Sequence, residues 1–135
     1  MTFRNIYNGG IPVASTTYRH FVERNGDYIE VDVESLDDYV TRCTRLEFVL
    51  EYPFDRPFEG EVRGDGGITL RQIVDAIRSG FRTMYLGASH EEIPGFVNQK
   101  VEGSYGGAIH AIDDLVIELI DVDDDAGVLD IGIGS

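Results

Sequence analysis

The sequence predicts an α+β domain: an antiparallel or mixed sheet packed against one main amphipathic helix at about 69–86, with residues 1–135 forming a single domain. Three observations carry that expectation. One segment has a sustained helical period, several short segments alternate apolar and polar residues, and no regular strand–helix–strand alternation occurs.

From the N-terminus, FRNIYNGGIPV reads as two short extended pieces joined by an Asn8-Gly9-Gly10 turn, a hairpin. The stretch TTYRHFVER suits a strand or a short helix, because Tyr18, Phe21 and Val22 have helical spacing whereas Thr16-Thr17-Tyr18 favours extended chain. Asn25-Gly26-Asp27 predicts a second tight turn. Tyr28, Ile29, Val31 and Val33 then alternate with Glu30, Asp32 and Glu34, a half-buried strand with a carboxylate face. Ser35, followed three residues later by Asp38, has the spacing of a capping box and predicts a short helix to about Thr41. Leu46, Phe48, Leu50 and Tyr52 alternate with Glu47, Val49 and Glu51, a strand that Pro53 ends by removing a donor. Residues 53–67 read as loop, stiffened by Pro53 and Pro57 and closed by Gly64-Asp65-Gly66-Gly67.

Thr69 caps the predicted helix. Leu70, Ile73, Val74, Ile77, Phe81, Met84 and Tyr85 stack into one stripe that has to pack on a sheet. Gly80 within it costs about 1 kcal/mol against Ala and marks either a close backbone approach or a weak point, and Gly87 is the expected stop. Phe96–Val101 is a candidate edge strand with a loose, glycine-rich exit. Two antiparallel strands, near Leu115–Val122 and Val128–Ile133, are expected around an acidic turn at Asp123–Gly127.

Composition narrows function more than it names it. The chain has 11 Lys plus Arg against 25 Asp plus Glu, a formal charge of −14, and is 42% hydrophobic. That apolar share, spread along the chain, excludes a disordered acidic tail and predicts a real core. A surface this negative repels phosphate, so direct nucleic-acid binding is not expected. Salt adaptation is a competing source of the acidity, but thirteen Ile against six Ala argue partly against it. A single cysteine, Cys43, excludes an internal disulfide framework, and His20, His90 and His110 are too far apart for a structural zinc site. Apolar runs no longer than three residues and a start without a basic-then-apolar leader predict neither a membrane span nor secretion.

No motif of known chemistry emerges. An EF-hand loop begun at Asp121 would need Gly at its sixth position and Glu at its twelfth, where Ala126 and Gly132 stand, so Asp121–Asp125 reads as a solvated turn. His90-Glu91-Glu92 lacks the second histidine of a zincin, because position 94 is Pro94. Cys43 has no identifiable base and reads as a small buried residue, and no phosphate-binding glycine loop or nucleophile elbow occurs. No cofactor, metal or catalytic residue is expected. Two interface sets remain. Arg71, Arg78 and Arg82 share a helix face with Asp75, which at helical spacing offsets Arg71 or Arg78. Tyr52, Phe54 and Phe58, bracketed by Pro53 and Pro57, are either tucked under the helix or exposed as a patch for a partner or second copy.

The segment RLEFVLEYPFDRPFEG followed by GGITLRQIVDAIRSGFRTMY resembles small proteins of large DNA viruses of the Marseillevirus group, and also an uncharacterised fungal domain. The likeness covers about a third of the chain and carries over no functional residue. It implies an abundant, self-associating viral protein, packaged in the particle and acting early in infection, inside the host cytoplasm or nucleus.

The reading that follows is a non-enzymatic structural or interaction protein, expected to be a homodimer. The alternative is an acidic binder of basic, histone-like proteins or a nucleic-acid mimic, with Asp123, Asp124 and Asp125 as its charge cluster. A small enzyme using carboxylates with His90 or His110 is the third reading.

Overall fold

The computed structural model describes residues 2–92, 99–108 and 110–135, without the side chains of residues 89–92 and 99–100. In chain order the elements are β1 (Arg4–Pro12), β2 (Arg19–Arg24), β3 (Asp27–Asp32), β4 (Tyr39–Thr41), β5 (Arg45–Leu50), β6 (Phe58–Arg63) and β7 (Ile68–Thr69). There follow α1 (Leu70–Tyr85), β8 (Ser89–Glu92), β9 (Gln99–Gly103), β10 (Gly106–Ala108), a 3-10 turn (Ile112–Asp114), β11 (Val116–Asp123) and β12 (Val128–Gly134). The fold is mixed α and β, and mostly sheet.

Helix α1 forms where its residues dictate. Thr69 sits at the N-cap, its hydroxyl accepting from the Gln72 N–H while the Gln72 side chain accepts from the Thr69 N–H. All seven stripe residues, Leu70 to Tyr85, are buried. Gly87 at φ 74° supplies the left-handed residue just past the C-cap. Gly80 marks a close approach: a Cβ there would stand 2.8 Å from Leu50 of β5 and 2.9 Å from Phe58 of β6, so the helix lies directly against that strand pair.

The sheet beneath is mixed, in the order β1-β11-β12-β5-β6. Every neighbouring pair is antiparallel except β12 with β5, which run parallel. The β11–β12 hairpin occupies the expected residues around the acidic turn. The β2–β3 hairpin turns on Asn25 and Gly26, both at positive φ, which is the geometry that matches strand twist. Instead of one sheet, β10-β9-β8, β2-β3 and β4-β7 form three smaller ones.

Four expectations are corrected. Asn8-Gly9-Gly10 makes no hairpin, because both halves of β1 pair with β11 and the glycines form a bulge between Asn8 and Ile11. A Cβ at Gly9 would strike the Tyr7 hydroxyl. Ser35 starts no helix, since it stands at φ 57°, whereas an N-cap is extended; the chain turns there and continues as β4. Residues 53–67 contain β6, whose Phe58, Gly60 and Val62 face the core opposite Leu50, Phe48 and Leu46. Of Phe96–Val101, residues 96–98 lie outside the described residues, and the remainder belongs to β9, the central strand of its sheet and not an edge.

Candidate functional site

The expected aromatic patch comes apart in three dimensions. Phe54 is 5% exposed and sits edge-on to Tyr85 of α1, with ring centroids 4.6 Å apart. Phe58 is half-buried, between Gly80 and the ring of Tyr105. Only Tyr52 stays open, its hydroxyl hydrogen-bonded to Ser135 Oγ at 2.6 Å, and that oxygen in turn lies 3.2 Å from His110 Nε2. Two of the three residues therefore serve the core, Phe54 from the turn after β5 that packs on the helix end and Phe58 from the start of β6 against Gly80.

The arginine face comes apart as well. Arg71 forks onto Asp37 (2.7 and 3.1 Å) and lies 4.5 Å over the Tyr18 ring, so the Asp37 carboxyl is held below its usual range by that guanidinium. Asp75 accepts from the Tyr18 hydroxyl, so Tyr18 takes the partner expected for Arg71 or Arg78. Arg78 is 3% exposed; its Nη2 donates to the carbonyls of Pro12 (2.9 Å) and Thr17 (2.6 Å), and burial lowers its pKa. It pins the β1–β2 connection to the helix. Arg82 alone is exposed.

The Asp121–Asp125 cluster is largely spent on the fold. Asp123 is buried and accepts the N–H groups of Ala126, Thr2 and Asp125, which hold its carboxyl below the ordinary range. Asp124 is held down likewise by Arg4 and the Thr41 hydroxyl, and its carbonyl accepts from Cys43 Sγ at 3.1 Å. Asp121 accepts from the Asn5 amide. This geometry removes Asp123 and Asp124 as a free charge cluster. No group of His, Cys, Asp and Glu suited to a metal ion occurs among the described residues. The His90 side chain lies outside them.

The feature the sequence did not disclose lies between β5 and β12. These strands pair at one position, Val128 opposite Glu47, where the Glu47 N–H donates to the Gly127 carbonyl at 2.9 Å. Beyond it they diverge around an open slit of about 580 Å³, within the size range of ligand sites. Its lining includes Phe48, Val49, Leu129 and Ile131, with Arg45, Glu47, Glu59, Glu61 and Asp130 around them. Four carboxylates against one guanidinium leave a local charge of −3. Arg45 is already engaged by Glu47 (2.6 Å) and Glu61 (2.8 Å), while Glu61 is also bound by Arg63. Val49 is 54% exposed at the lip. The Tyr52–Ser135 hydrogen bond ties the chain after β5 to the residue after β12 at the far end. One signal was available: the run Phe58-Glu-Gly-Glu-Val-Arg alternates, with Gly60 hiding the pattern because the Phe48 ring fills its place.

Compared with known protein families, characterised proteins and solved structures, the chain matches none of them. The slit is therefore read from its own chemistry.

Proposed function

We propose that this protein is a non-enzymatic interaction protein that captures a basic protein partner on the face formed by β5, β6 and β12. The observation that carries this reading is the slit, whose four carboxylates surround the exposed Val49, the half-buried Val128 and Ile131, and a single, already engaged arginine. The rest of the surface points the same way. Arg4, Arg19, Arg45, Arg63 and Arg71 are in ion pairs and Arg78 is buried, so the excess carboxylates set the outward field. A cationic chain approaching such a face is attracted from about a Debye length away, about 8 Å at physiological salt. The decisive test is titration of a labelled lysine-rich peptide and a glutamate-rich counterpart, followed by anisotropy at low and high salt. Binding of the lysine peptide alone, weakening as salt rises, supports the reading. No binding of it at low salt overturns it.

A homodimer is the second reading, and one observation favours it. On the outer face of the β2–β3 hairpin Phe21 and Tyr28 are 54% and 74% exposed, and the register makes them diagonal neighbours. Light scattering tests it: a dimer lost in Phe21→Ser supports it, and a monomer at all concentrations overturns it.

A further inference from the structure

We propose that the partner segment docks in the slit as an added strand on the free edge of β12, in extended form, with basic and apolar residues alternating. This rests on the capture of a basic partner proposed above and specifies its mode. The argument starts from backbone direction. A strand sends the backbone groups of successive residues to opposite edges, so one edge of β12 serves β11 and the other faces β5. Because the Gly127 carbonyl meets the Glu47 N–H, the odd-numbered residues Ile131 and Ile133 direct their N–H and C=O groups to the edge that faces β5, Ile131 within the slit. β12 is regular over this stretch, since the irregularity in its pairing with β11 is the extra residue Glu118 on the other strand. Val128 opposite Glu47 is the one pair joining β12 to β5, so among the described residues Ile131 and Ile133 form an edge without a strand partner, in the middle of the sheet. The outer edge strand β6 is guarded differently, by Glu59, Glu61 and Arg63.

The occupant follows from the side chains. Ile131, on the face that packs on the core, offers apolar contact to every second residue of an inserted strand, and Val49, on the outer face beside Glu47, to the aliphatic stems of the residues between them. Glu47, Glu59 and Asp130 are exposed, as the outward residues of β5, β6 and β12, and meet the intervening residues with negative charge. A Lys or Arg at those positions is complementary, and an acidic one is repelled. A strand antiparallel to β12 is also antiparallel to β5, the better-bonded arrangement on both lips.

The probe is a fluorescein-labelled peptide of alternating Lys and Val, about seven residues long, titrated into the full chain at low salt. A second peptide is identical except for N-methyl groups on the residues of one edge. We expect the methylated peptide to bind at least about tenfold more weakly, since it forfeits two or more backbone hydrogen bonds. Val49→Lys in the protein should weaken the parent peptide by a similar factor at unchanged melting temperature. Equal binding of the two peptides overturns the strand-addition mode and leaves the acidic capture intact. If neither peptide nor polylysine binds, both readings fall. A dimer that Val49→Lys dissolves, without peptide binding, assigns the slit to a second copy instead and overturns the proposal.

Discussion

Two carboxylate-rich regions of this chain look alike in sequence and differ in everything else. At the β11–β12 turn, Asp123 is buried with three backbone N–H donors on its carboxylate, and Asp124 is tied to Arg4 and Thr41. Around the β5–β12 slit, Glu47, Glu59, Glu61 and Asp130 face outward with only Arg45 and Arg63 among them. The difference lies in who supplies the counter-dipoles. A turn offers backbone donors that no other group in the fold can satisfy, so its carboxylates become structural. Strand side chains on an outer face meet only water and one another, so their field stays available. Acidity alone thus identifies neither region as a site; the inventory of partners does.

The sharpest way to break the comparison is to remove the structural carboxylate. Asp123→Ala strands the N–H groups of Thr2, Asp125 and Ala126, and the melting temperature should fall by roughly 10 °C in a thermal scan. A drop no larger than that of an ordinary surface substitution would place the turn in the same class as the slit rim.

The cationic side repeats the contrast on one helix. Arg78→Ala deletes two charge-assisted bonds to the carbonyls of Pro12 and Thr17 and should cost about 2 kcal/mol in chemical denaturation. Arg82→Ala, one turn further along and exposed, should stay within about 0.5 kcal/mol. Equal effects would mean that burial of Arg78 contributes nothing.

These residues also show how much was legible. The helix was, because its stripe, cap and stop agree with one another, and so were the β11–β12 hairpin and the turn and second strand of the β2–β3 hairpin, whose first strand has a spacing that suits helix and strand alike. The bulge in β1 was not, since a glycine pair reads identically whether its flanks pair with each other or with a distant strand. β6 was hidden by Gly60, the place of whose side chain the Phe48 ring takes. Asp123 was misread, and Phe54 stood undecided between core and patch, because both are placed by contacts far away in sequence, to Thr2 and Tyr85. The slit depends on the parallel pairing of β5 with β12, about eighty residues apart, and no local pattern encodes where two strands part.

Acid distinguishes the regions more gently. The folded-state pKa values of Asp123 and Asp124 are depressed, so their contribution is fully present above the ordinary carboxylate pKa of about 4 and is lost as pH falls through the folded values. The melting temperature of the native chain should therefore decline below about pH 4, and that decline should be shallower in Asp123→Asn. A parallel decline in both proteins would move the acid sensitivity elsewhere.

The smallest expected effect on stability belongs to the slit rim. Glu59→Gln together with Asp130→Asn removes two outward charges that form no ion pair among the described residues, so stability should change by no more than about 0.5 kcal/mol. Binding is another matter. The same pair halves the number of rim carboxylates, leaving Glu47 and Glu61, which Arg45 already engages. The lysine-rich peptide should then bind several-fold more weakly, with a reduced dependence on salt. Unchanged affinity at unchanged stability would show that the negative field is shared over the whole surface, and would erase the distinction between the slit and the remaining exposed carboxylates.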